Sequence, residues 1–216
     1  MRRVAFYGGS FDPVHLGHLA IAKALIGDFD LDEFVFMPAF HAPHKMRKKP
    51  TSAYDRFAML CLVTRDDDRI KVSRMEIEVP ERPYTFETLT TLNEQLTDTE
   101  VFFVMGADSW MDIISWRNWE QVLTLSNHIV MTRPGIDITF DHVTDTIRER
   151  IVDLRGNVGR LADQALAGSR IYFTDVVNLD ISASGIRQKI REGDTSWRQD
   201  VPAEVAKYVE KYQIYS

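Results

Sequence analysis

Residues 8 to 18 read Gly8-Gly9-Ser10-Phe11-Asp12-Pro13-Val14-His15-Leu16-Gly17-His18, a set of side chains that could hold a phosphate. Gly8 and Gly9 permit close backbone approach and positive φ angles, which a loop wrapped around a phosphate often needs. Asp12-Pro13 forces a turn. His15 and His18 are three apart at the start of a predicted helix, so both rings can lie on one face. Gly17 keeps the space between them clear. The helix start adds unpaired N–H groups and a partial positive charge. These parts describe a triphosphate pocket with two imidazoles aimed into it. Plainer alternatives stand beside it. A Gly-Gly pair is often only a turn, and a histidine at a helix start is often a capping or solvated residue. His-x-x-His recurs at His41 and His44, so a metal site competes, although neither pair has Cys or Glu at ligand spacing. The loop is neither a Walker A motif nor the Gly-x-Gly-x-x-Gly fingerprint.

The elements that must position this loop alternate short apolar runs with helical periodicities, the pattern of repeated β-α units. Strands are expected at Val4–Tyr7, Phe34–Met37, Ile70–Ser73, Val101–Met105, Ile129–Thr132 and Ile171–Phe173. Leu16, Leu19, Ala22 and Ile26 recur at helical spacing. A helix from about Ala53, capped by Ser52, should bury Tyr54, Phe57, Ala58, Cys61 and Leu62. Further helices are expected at Thr85–Leu96, Val143–Leu154, Ala183–Arg191 and Ala203–Tyr212. The expected fold is α/β: a Rossmann-like, mainly parallel sheet flanked by helices, with a small C-terminal helical part over about 181–216. Ligands then bind at the carboxyl ends of the strands. No linker divides the 216 residues, which suit one domain over 1–216. A net charge of −6 argues against a general nucleic-acid binder. No apolar stretch approaches membrane-spanning length, and the one cysteine, Cys61, fits a reducing cytoplasm and a buried, inert thiol.

The histidine segment resembles the signature of the HxGH nucleotidylyltransferase superfamily, and Ile181-Ser182-Ala183-Ser184-Gly185-Ile186-Arg187 is similar to its second signature, Ile-Ser-Ser-Thr-x-x-Arg. Over nearly the whole chain the best resemblance is to bacterial nicotinate-nucleotide adenylyltransferases. Pro43-His44-Lys45, Pro83-Tyr84-Thr85-Phe86-Glu87-Thr88-Leu89, Gly106-Ala107-Asp108-Ser109 with Trp116 and Trp119, and Thr132-Arg133-Pro134-Gly135 carry it. Members often have Asn in the loop after the second strand, where this chain has Pro38-Ala39-Phe40-His41-Ala42-Pro43.

The resemblance implies in-line transfer of AMP from ATP to nicotinate mononucleotide, in a cytoplasmic monomer or homodimer without nucleic-acid or membrane partners. His15, His18 and Arg187 become the catalytic residues. Gly8, Gly9, Ser10, Phe11, Gly106, Asp108, Ser182 and Ser184 join them around ATP. Mg2+ would be carried on the ATP oxygens. His44, Lys45, Thr85, Trp116 and Arg133 become the mononucleotide side, with Thr85 near the pyridine carboxylate and Trp116 under the ring. For each there is a plainer role: Trp116 in ordinary core packing, Asp108 as a helix cap, Lys45 in a solvated basic loop. Competing functions are a sister transferase using nicotinamide mononucleotide or phosphopantetheine, a non-catalytic nucleotide sensor, and a metal-dependent hydrolase.

Overall fold

The computed structural model describes residues 1–40, 51–78, 83–132, 137–156 and 168–215. Seven strands form one parallel sheet in the order β3-β2-β1-β4-β5-β7-β6. They are β1 (Arg2–Gly9), β2 (Glu33–Pro38), β3 (Ile70–Val72), β4 (Thr99–Gly106), β5 (Asn127–Met131), β6 (Ile151–Asp153) and β7 (Ile171–Thr174). The helices are α1 (Leu16–Asp28), α2 (Ala53–Thr64), α3 (Thr85–Gln95), α4 (Ala107–Met111), α5 (Trp119–Leu125), α6 (Asp145–Arg148), α7 (Ala183–Arg191) and α8 (Ala203–Tyr212).

The strands are continuous apolar runs because both faces of the sheet are covered. Along β1, Ala5 and Tyr7 pack with Ala22, Leu25 and Ile26 of α1 and Met59 and Leu60 of α2. Their neighbours Val4 and Phe6 face the opposite layer, against Leu89 and Leu92 of α3 and Val122 and Leu123 of α5. Strand β4 alternates in the same way, Phe102 and Val104 to one side, Phe103 and Met105 to the other. The C-terminal helices join the first layer through Ile186, Trp197, Val201, Val205 and Val209. The chain runs β1 to β3 outward on one side and β4 onward on the other. The switch therefore falls between β1 and β4, the position at whose carboxyl ends such sheets bind their ligands.

Three local expectations are corrected. The helix expected over 143–154 is only α6, and Ile151 and Val152 instead form β6 against β7. Two β-branched residues in sequence suit an edge strand better than a helix end. In α2 the buried residues are Ala53, Arg56, Met59, Leu60 and Thr64, whereas Tyr54 is 65% exposed. A charged residue thus occupies the middle of the buried face. Finally, the left-handed backbone in the first loop belongs to Phe11 (φ 47°), not to Gly8 or Gly9, which end β1.

Candidate active site

The β1–α1 loop is built around the Phe11 ring. That ring is buried and packs edge-on against Tyr7, Phe36 and His18, with centroids 5.3, 5.2 and 5.0 Å away. A Cβ at position 9 would lie 2.8 Å from it, so glycine is required there by close approach. His15 caps α1 in an extended conformation and His18 sits in the first turn. Their rings stack 3.7 Å apart at 25°. A Cβ on Gly17 would come within 3.1 Å of the His15 ring, so glycine there leaves that ring room, while the two rings lie directly on one another with no space between them.

The backbone N–H of His15 donates to Nδ1 of His18 at 3.2 Å. Nδ1 must therefore present a lone pair, which leaves the proton of a neutral ring on Nε2. Burial, and secondarily the charge of His15, hold the His18 pKa well below the ordinary imidazole value. The free protein thus offers a neutral imidazole with one N–H donor.

The second signature forms the start of α7. Ser182 is its N-cap, with Oγ accepting from the Gly185 N–H at 3.1 Å, and the Ser184 hydroxyl donates to Ser182 Oγ at 3.3 Å. Arg187 then crosses to the first loop: its Nη1 donates to the Asp12 carbonyl at 2.5 Å and lies 3.9 Å from the Asp12 carboxylate. The two signatures, 175 residues apart at this contact, are one structure. Asp12 is buried and also accepts from the Tyr215 hydroxyl at 2.7 Å. Burial, then the Asp12 charge, pushes the Tyr215 pKa up, so this phenol remains a donor.

Gly106 ends β4, next to β1 in the sheet, and caps α4; Asp108 is exposed in that first turn. Thr85 opens α3, with the Tyr84 N–H donating to Glu87 Oε2 at 2.9 Å. Arg117 lies over the Tyr84 ring at 4.8 Å and pairs with Glu87 at 3.8 Å, joining the Trp116 segment to the start of α3. Trp116 is half-buried against the second core layer. Arg117 thus joins the segments of Thr85 and Trp116, while Arg187 ties the start of α7, with Ser182 and Ser184, to Asp12 in the loop that leads into His15 and His18. His44, Lys45 and Arg133 lie outside the described residues.

Sequence reasoning missed three supporting residues. Arg56 is 1% exposed and its guanidinium donates to the carbonyls of Thr51, Ser10, Ala39 and Phe40. Tyr215 braces Asp12. Trp110, fully buried, donates its Nε1 proton to the Thr139 carbonyl at 2.9 Å. None of these bonds has a spacing signature that the sequence could display.

Among known proteins, the cytidylyltransferase-like family matches residues 6–189. A relative from Mycolicibacterium vanbaalenii named "Probable nicotinate-nucleotide adenylyltransferase" is 34% identical over 214 residues, 99% of this chain and 92% of its own. One of the same name from Desulfatibacillum aliphaticivorans is 35% identical over 221 residues, covering 99% of each chain. The nicotinic acid mononucleotide adenylyltransferase of Plasmodium falciparum, solved with NaAD, superposes with a TM-score of 0.72. Its identity is 18% over 100% of this chain and 98% of that one, a likeness of fold.

Proposed function

The chain belongs to the cytidylyltransferase-like family and to the nicotinate-nucleotide adenylyltransferases within it, and from that premise we propose how its residues transfer AMP from ATP to nicotinate mononucleotide. The observation that carries the reading is the stacked His15–His18 pair tied through Asp12 to Arg187. An oxygen of the mononucleotide phosphate attacks the α-phosphorus of ATP. The bond from that phosphorus to the bridging oxygen breaks, and pyrophosphate leaves with its electron pair, giving nicotinate adenine dinucleotide. The attacking oxygen is already anionic at neutral pH, so no base is needed. What the protein supplies is alignment and donors aimed at developing charge.

His18 Nε2–H serves as the donor to the α-phosphate, with His15 stacked beside it. Arg187 has further N–H groups beyond the one held by Asp12, and with Ser182 and Ser184 at the α7 start it receives the leaving pyrophosphate. Ser10, Phe11 and the glycines shape the loop under the triphosphate, and Asp108 at the end of β4 takes a ribose hydroxyl. Thr85 and Trp116 receive the pyridine ring; His44, Lys45 and Arg133 complete the acceptor side. Among the described residues no group of three or more His, Cys, Asp or Glu gathers at ligand distance. Mg2+ in this proposal is held by triphosphate oxygens and water, where it offsets phosphate charge. No helix among the described residues is long and apolar enough to cross a membrane. The proposal places the enzyme in the cytoplasm, where the half-buried Cys61, its thiol pKa pushed up by burial, stays reduced.

The test is pyrophosphate release from ATP and Mg2+ with nicotinate mononucleotide, nicotinamide mononucleotide and phosphopantetheine in separate reactions. Fastest release is expected with nicotinate mononucleotide. Faster turnover of another acceptor reassigns the substrate, and ATP binding without turnover of any acceptor makes the protein a sensor.

A further inference from the structure

We propose that Arg56 is a positioning residue that sets the loop after β1 and the chain leaving β2 as a single unit, because one buried guanidinium holds backbone carbonyls from both. Its Nη1 donates to the Ser10 carbonyl at 2.5 Å; its Nη2 donates to the carbonyls of Ala39 at 2.6 Å and Phe40 at 3.1 Å. Nε donates to the Thr51 carbonyl at 3.1 Å. Four of the five N–H groups of a planar fork are thus fixed by three separate stretches of backbone.

Each stretch belongs to a different part of the fold. Ser10 lies between Gly9, the end of β1, and Phe11, whose ring packs on His18. Ala39 and Phe40 follow β2, and the Ala39 N–H donates to the Gly9 carbonyl at 2.9 Å. Thr51 leads into α2, the helix that carries Arg56. A change in where the guanidinium sits therefore moves the loop under ATP and the chain that leaves β2 together. The helix that carries Arg56 is itself anchored, since Asp55 accepts from the Tyr208 hydroxyl of α8 at 2.8 Å.

Stability alone does not call for an arginine here. Desolvating a guanidinium carries a penalty in general, and here it is offset by bonds to neutral carbonyls rather than by a paired carboxylate. Among the described residues, its hydrogen-bond partners are all carbonyls. The Asp12 carboxylate acts on Arg56 from a distance, and it is already bonded to Tyr215. What only the guanidinium supplies is fixed geometry across three segments. Lysine would bring the charge without the fork.

The inference rests on the adenylyltransferase reading, and the experiment separates the two. Wild-type protein, Arg56→Lys and Arg56→Gln are assayed well below their melting temperatures, with KM measured for ATP and for nicotinate mononucleotide. Active folded protein is counted by titration. Both KM values are expected to rise together in both variants, with kcat/KM lowered by about a hundredfold, the scale of an ångström-level misplacement. Millimolar guanidinium added to Arg56→Ala should lower both KM values together. A purely structural arginine would lower the yield of folded enzyme and leave both KM values unchanged; that result, or movement of only one KM, overturns the proposal. If Arg56→Lys does not fold, Arg56→Gln and the guanidinium rescue decide it. Wild-type protein inactive with nicotinate mononucleotide sinks the functional reading, whereas active wild type with unmoved variant KM values sinks only the role of Arg56.

Discussion

His18 does two separable jobs, one with each ring nitrogen, and substitution can take them away one at a time. Nδ1 accepts from the His15 N–H at 3.2 Å, a bond internal to the protein. Nε2 carries the proton that reaches the α-phosphate in the proposed mechanism. Alanine removes both. Loss of one preorganised donor lowers kcat by about 10²–10³. Loss of the acceptor removes the bond made by the buried His15 N–H, a cost of about 1–3 kcal/mol in stability. Asparagine places its Oδ1 at the same number of bonds from Cα as Nδ1 but has nothing at the Nε2 position. It should recover most of the stability and none of the rate. Glutamine reaches further with its amide N–H2 and lacks the short acceptor, so it should recover part of the rate and little stability. The assays are pyrophosphate release at saturating substrates and urea unfolding without ligand. Near-wild-type kcat in His18→Asn refutes the donor role, and equal stability of His18→Ala and His18→Asn refutes the assignment of Nδ1.

Three further outcomes are expected. Trp116→Ala should raise the mononucleotide KM by about tenfold, the scale of one lost aromatic stacking contact, and leave the ATP KM unchanged; an unmoved mononucleotide KM removes Trp116 from the site. Tyr215→Phe deletes the 2.7 Å bond to the Asp12 carboxylate, which should lower stability by about 1.5–3 kcal/mol and raise the ATP KM through Arg187; an unaltered urea midpoint contradicts that bond. His128 is fully buried, with Nδ1 3.1 Å from the Ser126 carbonyl. Burial, partly offset by that carbonyl and reinforced by Arg150, lowers its pKa from 6.5 to about 4. The unfolded chain therefore binds the extra proton first, so stability present above pH 6.5 is lost as pH falls toward about 4. The full effect is about 3 kcal/mol. His128→Gln should flatten the dependence of the urea midpoint on pH across that window, and an identical slope in the variant would exclude His128 as its source.

The parts of this molecule that were legible in its sequence are those whose physics is local. Strand β4 reads as an apolar run because a parallel strand buried on both faces needs nothing else. The two histidines stack because His15 caps α1 and His18 is the third residue of its first turn, a contact closed within four residues of chain. Ala183–Arg191 is legible because Ser182 caps it by a bond only three residues long. Where local rules conflict, tertiary contact decides. Val143, Ile147 and Ile151 keep helical spacing, yet Ile151 pairs with Ile171 in a strand because the edge of β7 is available to it. Arg56 is the sharper case. The apolar spacing puts Tyr54, Phe57, Ala58, Cys61 and Leu62 on the buried face of α2 and leaves Arg56 unread, whereas the helix buries Arg56 beside Met59 and Leu60. The groups that make this burial tolerable are carbonyls of Ser10, Ala39, Phe40 and Thr51, and every residue type has a carbonyl. Arg187 shows the same asymmetry: its place in the second signature was visible, but its bond to the Asp12 carbonyl was not. Side chains that meet substrate betray themselves by type and spacing. Side chains that hold backbone in place for them do so through partners without identity, and only the fold discloses which ones they are.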